Sequence, residues 1–258
     1  MVTEPLAAFL QPGTDPDVAE AYASLAARAR DTVFGFEDEI AFIDLETTGF
    51  DPGRDEIIEV AALVARGPEV LGRFSELVRP SCPIPHETTQ LTGIDDAMVA
   101  DASPIESVAV RLAGFVGGRT MVAHNASFDR AFLERAGFVP SRLTGPWLDS
   151  LEVVRLALPR LRSHRLTDLA RAFGIAPGRD HRAPDDVEAL FAVWRIALTA
   201  LGDMPPEVLR ELARLAAGVP GWSLGPLLGH MAAGVTGHAF DLKRLRTERL
   251  KRERLVAL

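Results

Sequence analysis

The chain has 258 residues, 47% of them apolar and 25% charged, with 21 Gly and 18 Pro. This fits a folded protein of one large domain plus an appendage, and excludes global disorder and collagen-like or low-complexity architectures. The single cysteine, Cys82, rules out an internal disulfide framework and a cysteine zinc cluster. A formal net charge of −8 has the wrong sign for a simple polyanion binder.

The opening residues Met1-Val-Thr-Glu-Pro5 lack the basic and apolar regions of a secretory signal. No stretch approaches the roughly 20 apolar residues of a membrane span. A cytoplasmic protein with no membrane partner is expected. Residues 1–37 read as a leader holding a short helix from Val18 to Arg30, with Val18, Tyr22, Leu25 and Ala29 on one face. The body is expected over 38–201. It opens on a buried strand, Ile40-Ala-Phe-Ile-Asp44, turns at Asp51-Pro-Gly-Arg-Asp55, and continues with strands from Ile57 to Val64 and Val70 to Val78. A Pro-rich loop from Pro80 to Pro85 leads to a helical pattern from Pro104 to Val116. A strand from Thr120 to His124 runs into a helix from Ala126 to Ala136, and Trp147-Leu-Asp149 reads as a further strand end. Helices are expected at Leu166–Phe173 and Pro184–Ala200. Strands in meander order followed by alternating helices and strands predict a mixed α/β fold. Residues 202–258 form a helical extension: an amphipathic helix from Pro205 to Ala217, a break at Gly218-Val-Pro-Gly-Trp222, a Gly-rich patch and a basic tail. Residues 241–258 carry seven basic side chains against three acidic ones. The tail reads either as a solvated helix end or as a source of salt-sensitive phosphate contacts.

The informative charges are those on apolar faces. Alternation along the first strand puts Asp44 and Glu46 on one side, where like charges repel unless a cation lies between them. Thr47-Thr48-Gly49 then makes a tight turn with two hydroxyls. Taken alone, the pair also reads as a strand fraying into an acidic loop. Asp129 shares a helix face with Phe132, Leu133 and Ala136, a costly place for a carboxylate without a partner. The alternative is an edge position paired with Arg130 or Arg135. Asn125 is expected to cap that helix through its side chain. Asp186 aligns with Leu190, Val193, Trp194 and Ala197 behind Pro184, although acids in a first turn also complement the helix dipole. Together these are four acids at the ends of three elements, with His181 five residues before the last. Oxygen ligands of this kind select hard cations such as Mg²⁺ or Mn²⁺. Two such ions about 4 Å apart can assist in-line attack on a phosphodiester, and a histidine beside them can take a proton from water.

At these residues the chain resembles the DEDDh 3′→5′ exonucleases, the family that includes the proofreading subunit of the bacterial replicative polymerase. Phe42-Ile-Asp-Leu-Glu-Thr-Thr-Gly49, Ala123-His-Asn-Ala-Ser-Phe-Asp129 and His181-Arg-Ala-Pro-Asp-Asp186 are similar to its three motifs. Leu91-Thr-Gly-Ile94 also fits, and Ser150 stands where members usually carry Thr. The resemblance covers about residues 38–200. It implies a ribonuclease-H-like mixed five-stranded sheet flanked by helices. It also implies that Asp44, Glu46, Asp129 and Asp186 are ligands of two divalent cations, with Asp44 bridging and His181 the general base. The main chain around Glu46, Thr47 and Thr48, continuing to Gly49, would hold the terminal nucleotide, with Phe50 or Leu91 packing on its base. His86, near the Leu91 loop, is a further substrate candidate, whereas His124 and Trp194 read as structural. The expected substrate is the 3′ end of single-stranded DNA, favoured over RNA, in proofreading or repair, with nucleoside 5′-monophosphates released. RNA 3′-end trimming and an inactive nucleic-acid-binding scaffold are the alternatives. Residues 205–228 are loosely similar to the segment after the exonuclease domain in DinG-type relatives, which implies a polymerase or helicase partner for the extension.

Overall fold

The computed structural model describes residues 4–32, 39–137, 147–175, 181–219, 222 and 224–233. The basic tail, Gly234, Gly237 and Asp180 lie outside the described residues. Backbone contacts divide the chain into two compact units. One comprises residues 38–150 and 177–191, the other residues 1–37, 151–176 and 192–258.

The first unit holds a five-stranded sheet in the order β3-β2-β1-β4-β5. Its strands are β1 (Ile40–Thr47), β2 (Ile57–Arg66), β3 (Glu69–Leu77), β4 (Thr120–Ala123) and β5 (Trp147–Asp149). β1 pairs antiparallel with β2 and parallel with β4, and β4 pairs parallel with β5. β2 is buried from Ile57 to Ala65, as its near-continuous apolar run requires, while the edge strand β3 has no fully buried residue. Ala41, Ile43 and Leu45 of β1 and Val60, Ala62 and Val64 of β2 pack against Val108, Leu112, Phe132 and Leu133 of α5 (Ile105–Val116) and α6 (Ala126–Arg135). The alternate residues of β1 face the other way, where Phe42 meets Phe191 edge-on at 5.2 Å. Two short helices, α3 (His86–Thr92) and α4 (Asp96–Val99), follow β3. The sequence reading missed both. Gly93, with φ 72°, ends α3 in the left-handed conformation that suits glycine.

The second unit contains α1 (Glu4–Phe9), α2 (Pro16–Asp31), most of α7 (Ser150–Ala157), α8 (Leu166–Ala172), the later turns of α9 (Ala183–Gly202), α10 (Pro206–Ala217) and α11 (Gly225–Ala232). The Asp15 carboxylate caps α2 by accepting the Asp17 N–H, with Pro16 at the first helical position. Val18, Tyr22, Leu25 and Ala29 are all buried. The N-terminal segment is integral to this unit. Leu10 bridges Leu161, the Gln11 side chain donates to the Pro159 and Leu161 carbonyls, and Arg28 is paired with the buried Asp203. α11 corrects the reading of its region as a Gly-rich patch. Leu227, Leu228 and Met231 bury one face there, and that burial outweighs the poor helix propensity of Gly225 and Gly229. Among the described residues no helix is long and apolar enough to cross a membrane.

Candidate active site

The site residues belong to the sheet-bearing unit. β1 extends through Thr47, so Thr47 is a strand residue rather than part of the turn. Asp44 faces Ala61 and Glu46 faces Glu59 across the antiparallel ladder, and the register shifts between Glu46 and Thr47. Such an irregularity bends the strand and re-aims the side chains beside it.

The turn that follows is held from within. The Thr47 hydroxyl donates to the Gly49 carbonyl at 2.5 Å, and the Thr48 hydroxyl accepts the Glu56 N–H at 3.0 Å. The Thr48 N–H donates to the Glu56 carbonyl at 2.8 Å, and its carbonyl accepts the Thr88 hydroxyl of α3 at 2.9 Å. Thr48, 3% exposed, therefore has its polar groups engaged inside the protein. A Cβ on Gly49 would lie 2.4 Å from Asp55 Oδ2, so a side chain there would have to displace the Asp55 carboxylate. Phe50 is 85% exposed, with its ring 6.5 Å from that of Phe128, and Leu91 on α3 is 48% exposed. His86 lies exposed in the first turn of α3, its Nε2 bonded to the Gln90 amide.

α6 brings Asp129 inward. It is 4% exposed and takes neither arginine suggested by the sequence, since Arg130 pairs with Glu134 and Arg135 donates to the Pro52 carbonyl. Asn125 corrects a second expectation. It adopts φ 68° and makes no capping bond with its side chain. The left-handed backbone, which asparagine tolerates, turns its N–H toward Asp149 Oδ1 at 3.0 Å. His124 Nδ1 is bonded to the hydroxyl of the fully buried Ser150 at 2.9 Å.

α9 presents Asp186 in its first turn, with Leu190, Val193, Trp194 and Ala197 buried along the same stripe. Ligand atoms of Glu46, His181 and Asp186 lie within 4.8 Å of one another. The charges of Glu46 and Asp186 act on Asp44, and the charge of Asp129 acts on Glu46. Burial, then the charges of Asp129, Asp186, Glu46 and Glu59, holds the Asp44 carboxyl well above the usual carboxylate range. Burial followed by Asp186 and Glu59 raises Glu46 to about 8, against a lowering by Arg182. Burial is also the first cause that raises Asp129 to about 8, with Asp149 adding to it. Buried acids that crowd one another in this way are costly unless cations neutralise them. The carboxylate oxygens of Glu46 and Asp186 with the His181 imidazole fit a hard divalent cation, and among the described residues Asp44 and Asp129 are not part of that close group.

Glu59 and Arg182 were missed in the sequence reading. Glu59, 1% exposed, accepts bonds from Arg182 Nε, Arg182 Nη2 and the Ala183 N–H. A single acid inside the apolar run Ile57-Ile-Glu-Val-Ala-Ala-Leu-Val64 was the available signal.

The RNase T family model, described as exonuclease, matches residues 41–194, more than half of the chain. The chain belongs to the exonuclease family. The matched span is its exonuclease domain. It is 38% identical over 165 residues to a DNA polymerase III PolC-type of Oceanobacillus iheyensis, covering 62% of this chain and 12% of that protein. It is 35% identical over 180 residues to the 3′-5′ exonuclease DinG of Bacillus subtilis, covering 67% of this chain and 19% of that protein. This exonuclease-family chain thus spans less than a fifth of the length of either curated relative. Exonuclease X, solved in complex with 5′ overhanging duplex DNA, shares 28% identity at a TM-score of 0.52, covering 65% of this chain and 95% of that one.

Proposed function

We propose that this chain is a divalent-metal-dependent 3′→5′ exonuclease that releases nucleoside 5′-monophosphates from the 3′ end of single-stranded DNA, in a proofreading or repair role. The observation that carries the reading is the convergence of Glu46, His181 and Asp186 within 4.8 Å, a cluster whose charges act on Asp44 and which the charge of Asp129 reaches at Glu46. A pair of divalent cations, Mg²⁺ or Mn²⁺, bound by the four acids would stabilise the attacking and leaving oxygens of an in-line displacement at phosphorus. Asp44, Glu46, Asp129 and Asp186 would hold those cations, with Asp44 the ligand that both would share. His181 accepts the proton that the attacking water gives up. Phe50 and Leu91 offer exposed apolar faces to the terminal base, the end of β1 at Thr47 and the turn at Gly49 receive its sugar and phosphate, and His86 stands in the first turn of α3, the helix that carries Leu91.

DNA is favoured as substrate because the relatives named above are a DNA polymerase and an exonuclease bound to DNA. On the same reading the extension from residue 202 docks a polymerase or helicase. The exposed Leu215 and Val219 near the end of α10 support that role. The test of substrate is a comparison of DNA and RNA oligonucleotides of one sequence in Mg²⁺, Mn²⁺ and EDTA, with products resolved by chromatography. DNA consumed faster than RNA, only with metal and with 5′-monophosphate products, is the expected result. RNA consumed faster makes the chain an exoribonuclease. Binding without consumption of either makes it a scaffold.

A further inference from the structure

An isolated carboxylate inside an apolar strand costs several kcal/mol unless it is paired and hydrogen-bonded. Glu59 in the middle of β2 is fully satisfied. Its Oε2 accepts Arg182 Nε and the Ala183 N–H, each at 3.0 Å, and its Oε1 accepts Arg182 Nη2 at 2.6 Å. The guanidinium fork makes this pairing directional as well as strong. All three donors come from the two residues that join His181 to the following turns of α9.

The position immediately before them is under backbone strain. His181 has φ 62°, a conformation that a non-glycine residue keeps only where its surroundings hold it. On the other side, the Asp186 N–H donates to the Arg182 carbonyl at 2.9 Å, so Arg182 binds the sheet with its side chain and the first turn of α9 with its backbone. Across the ladder, Glu59 is the register partner of Glu46. One buried carboxylate thus joins the strand that carries Glu46 to the segment that carries both His181 and Asp186.

We propose that Glu59 is a positioning residue which, through its clamp on Arg182 and Ala183, sets the separation of His181 and Asp186 from Glu46 and so the geometry of the cation-binding cluster. This rests on the exonuclease reading for its effect on rate, but not for its effect on metal affinity. Residues that orient ligands in this way change affinity or activity roughly 10–100-fold when removed. Arg182 is also the cation whose field opposes the crowded negative charge at Glu46.

The test uses the full chain. Mn²⁺ alone is titrated calorimetrically into the wild type, Glu59→Gln and Arg182→Lys, and kcat, KM and melting temperature are measured for each. Arg182→Lys keeps the charge and loses the fork, and it answers the question if Glu59→Gln does not fold. The expected result is a fall of roughly 10–100-fold in Mn²⁺ affinity and in kcat, with KM near wild type. A lowered melting temperature with unchanged Mn²⁺ affinity and kcat reduces Glu59 to a packing staple and overturns the proposal. If the wild type leaves DNA intact while Glu59→Gln still weakens Mn²⁺ binding, the exonuclease reading fails and the clamp stands.

Discussion

Glu46 and Asp129, both raised to about 8, hold protons in the folded, metal-free protein that the unfolded chain gives up at ordinary carboxylate values of 4.5 and 3.8. Between those values and about 8, unfolding releases protons. The stability these groups contribute is therefore complete below pH 4 and lost as the pH rises toward 8. Melting in EDTA should accordingly move to lower temperature from pH 5 to pH 8. Mg²⁺ or Mn²⁺ should reverse the loss, because a ligand that binds only the folded state stabilises it. A melting temperature in EDTA that is flat or rises over that range contradicts the account of the cluster. Asp129→Asn removes one of the crowded charges. In EDTA at pH 8 it should raise the melting temperature, by about 2–4 °C for each kcal/mol recovered. It should also reduce kcat by more than about 100-fold, the upper range for residues one layer further from a metal. Asp129 was visible in the sequence only in company: alone on the Phe132–Leu133 stripe it also read as an edge acid paired with Arg130 or Arg135, and the other three acids singled it out. Arg182 was not, because an arginine beside a histidine motif resembles any solvated charge until its partner on β2 is known.

The turn after β1 is where element geometry matters most. Gly49 leaves no room for a Cβ against the Asp55 carboxylate, which is itself fixed by the Asp51 N–H at 2.8 Å. Gly49→Ala should cost about 1–3 kcal/mol, the usual range for overpacking. It should also raise KM for DNA more than it lowers metal affinity, because the turn shifts while the four acids stay. Equal losses in both would place the damage at the cluster instead. The long strands and α5, α6 and α9 were legible because each has a continuous apolar pattern. α3 was not, since His86-Glu-Thr-Thr-Gln-Leu-Thr92 has one apolar side chain and no stripe. It is placed by the Thr88 bond to Thr48 and by Gly93, neither of which has a periodic signature. Asn125 was misread for a related reason: residue type suggested a cap, and the left-handed backbone that prevents it is set by Asp149 from a distant strand.

Across the whole molecule, the residues proposed to carry the chemistry and those that hold the N-terminal helices belong to different compact units. Arg28 donates to both carboxylate oxygens of Asp203, which is 4% exposed. Arg28→Ala leaves that acid buried without its cation and should cost roughly 3 kcal/mol, seen as a lower denaturant midpoint, with kcat per folded molecule unchanged. A matching fall in kcat would tie this unit to catalysis. The fold class was legible from the order of strands and helices. The packing of the N-terminal segment was not, because the Gln11 and Arg28 contacts join positions about 150 residues or more apart in sequence. The account as a whole stands on removal of nucleotides from one end of a strand by the four-acid cluster. The most direct measurement is a time course on one single-stranded DNA oligonucleotide, labelled in separate reactions at the 5′ or the 3′ end, in Mn²⁺ and in EDTA, with Asp44→Ala alongside. A 5′-labelled ladder that shortens stepwise while the 3′ label leaves at once as a mononucleotide, absent in EDTA and in the variant, is the result this account predicts. Internal cuts, loss from the 5′ end, or full activity in Asp44→Ala would contradict it.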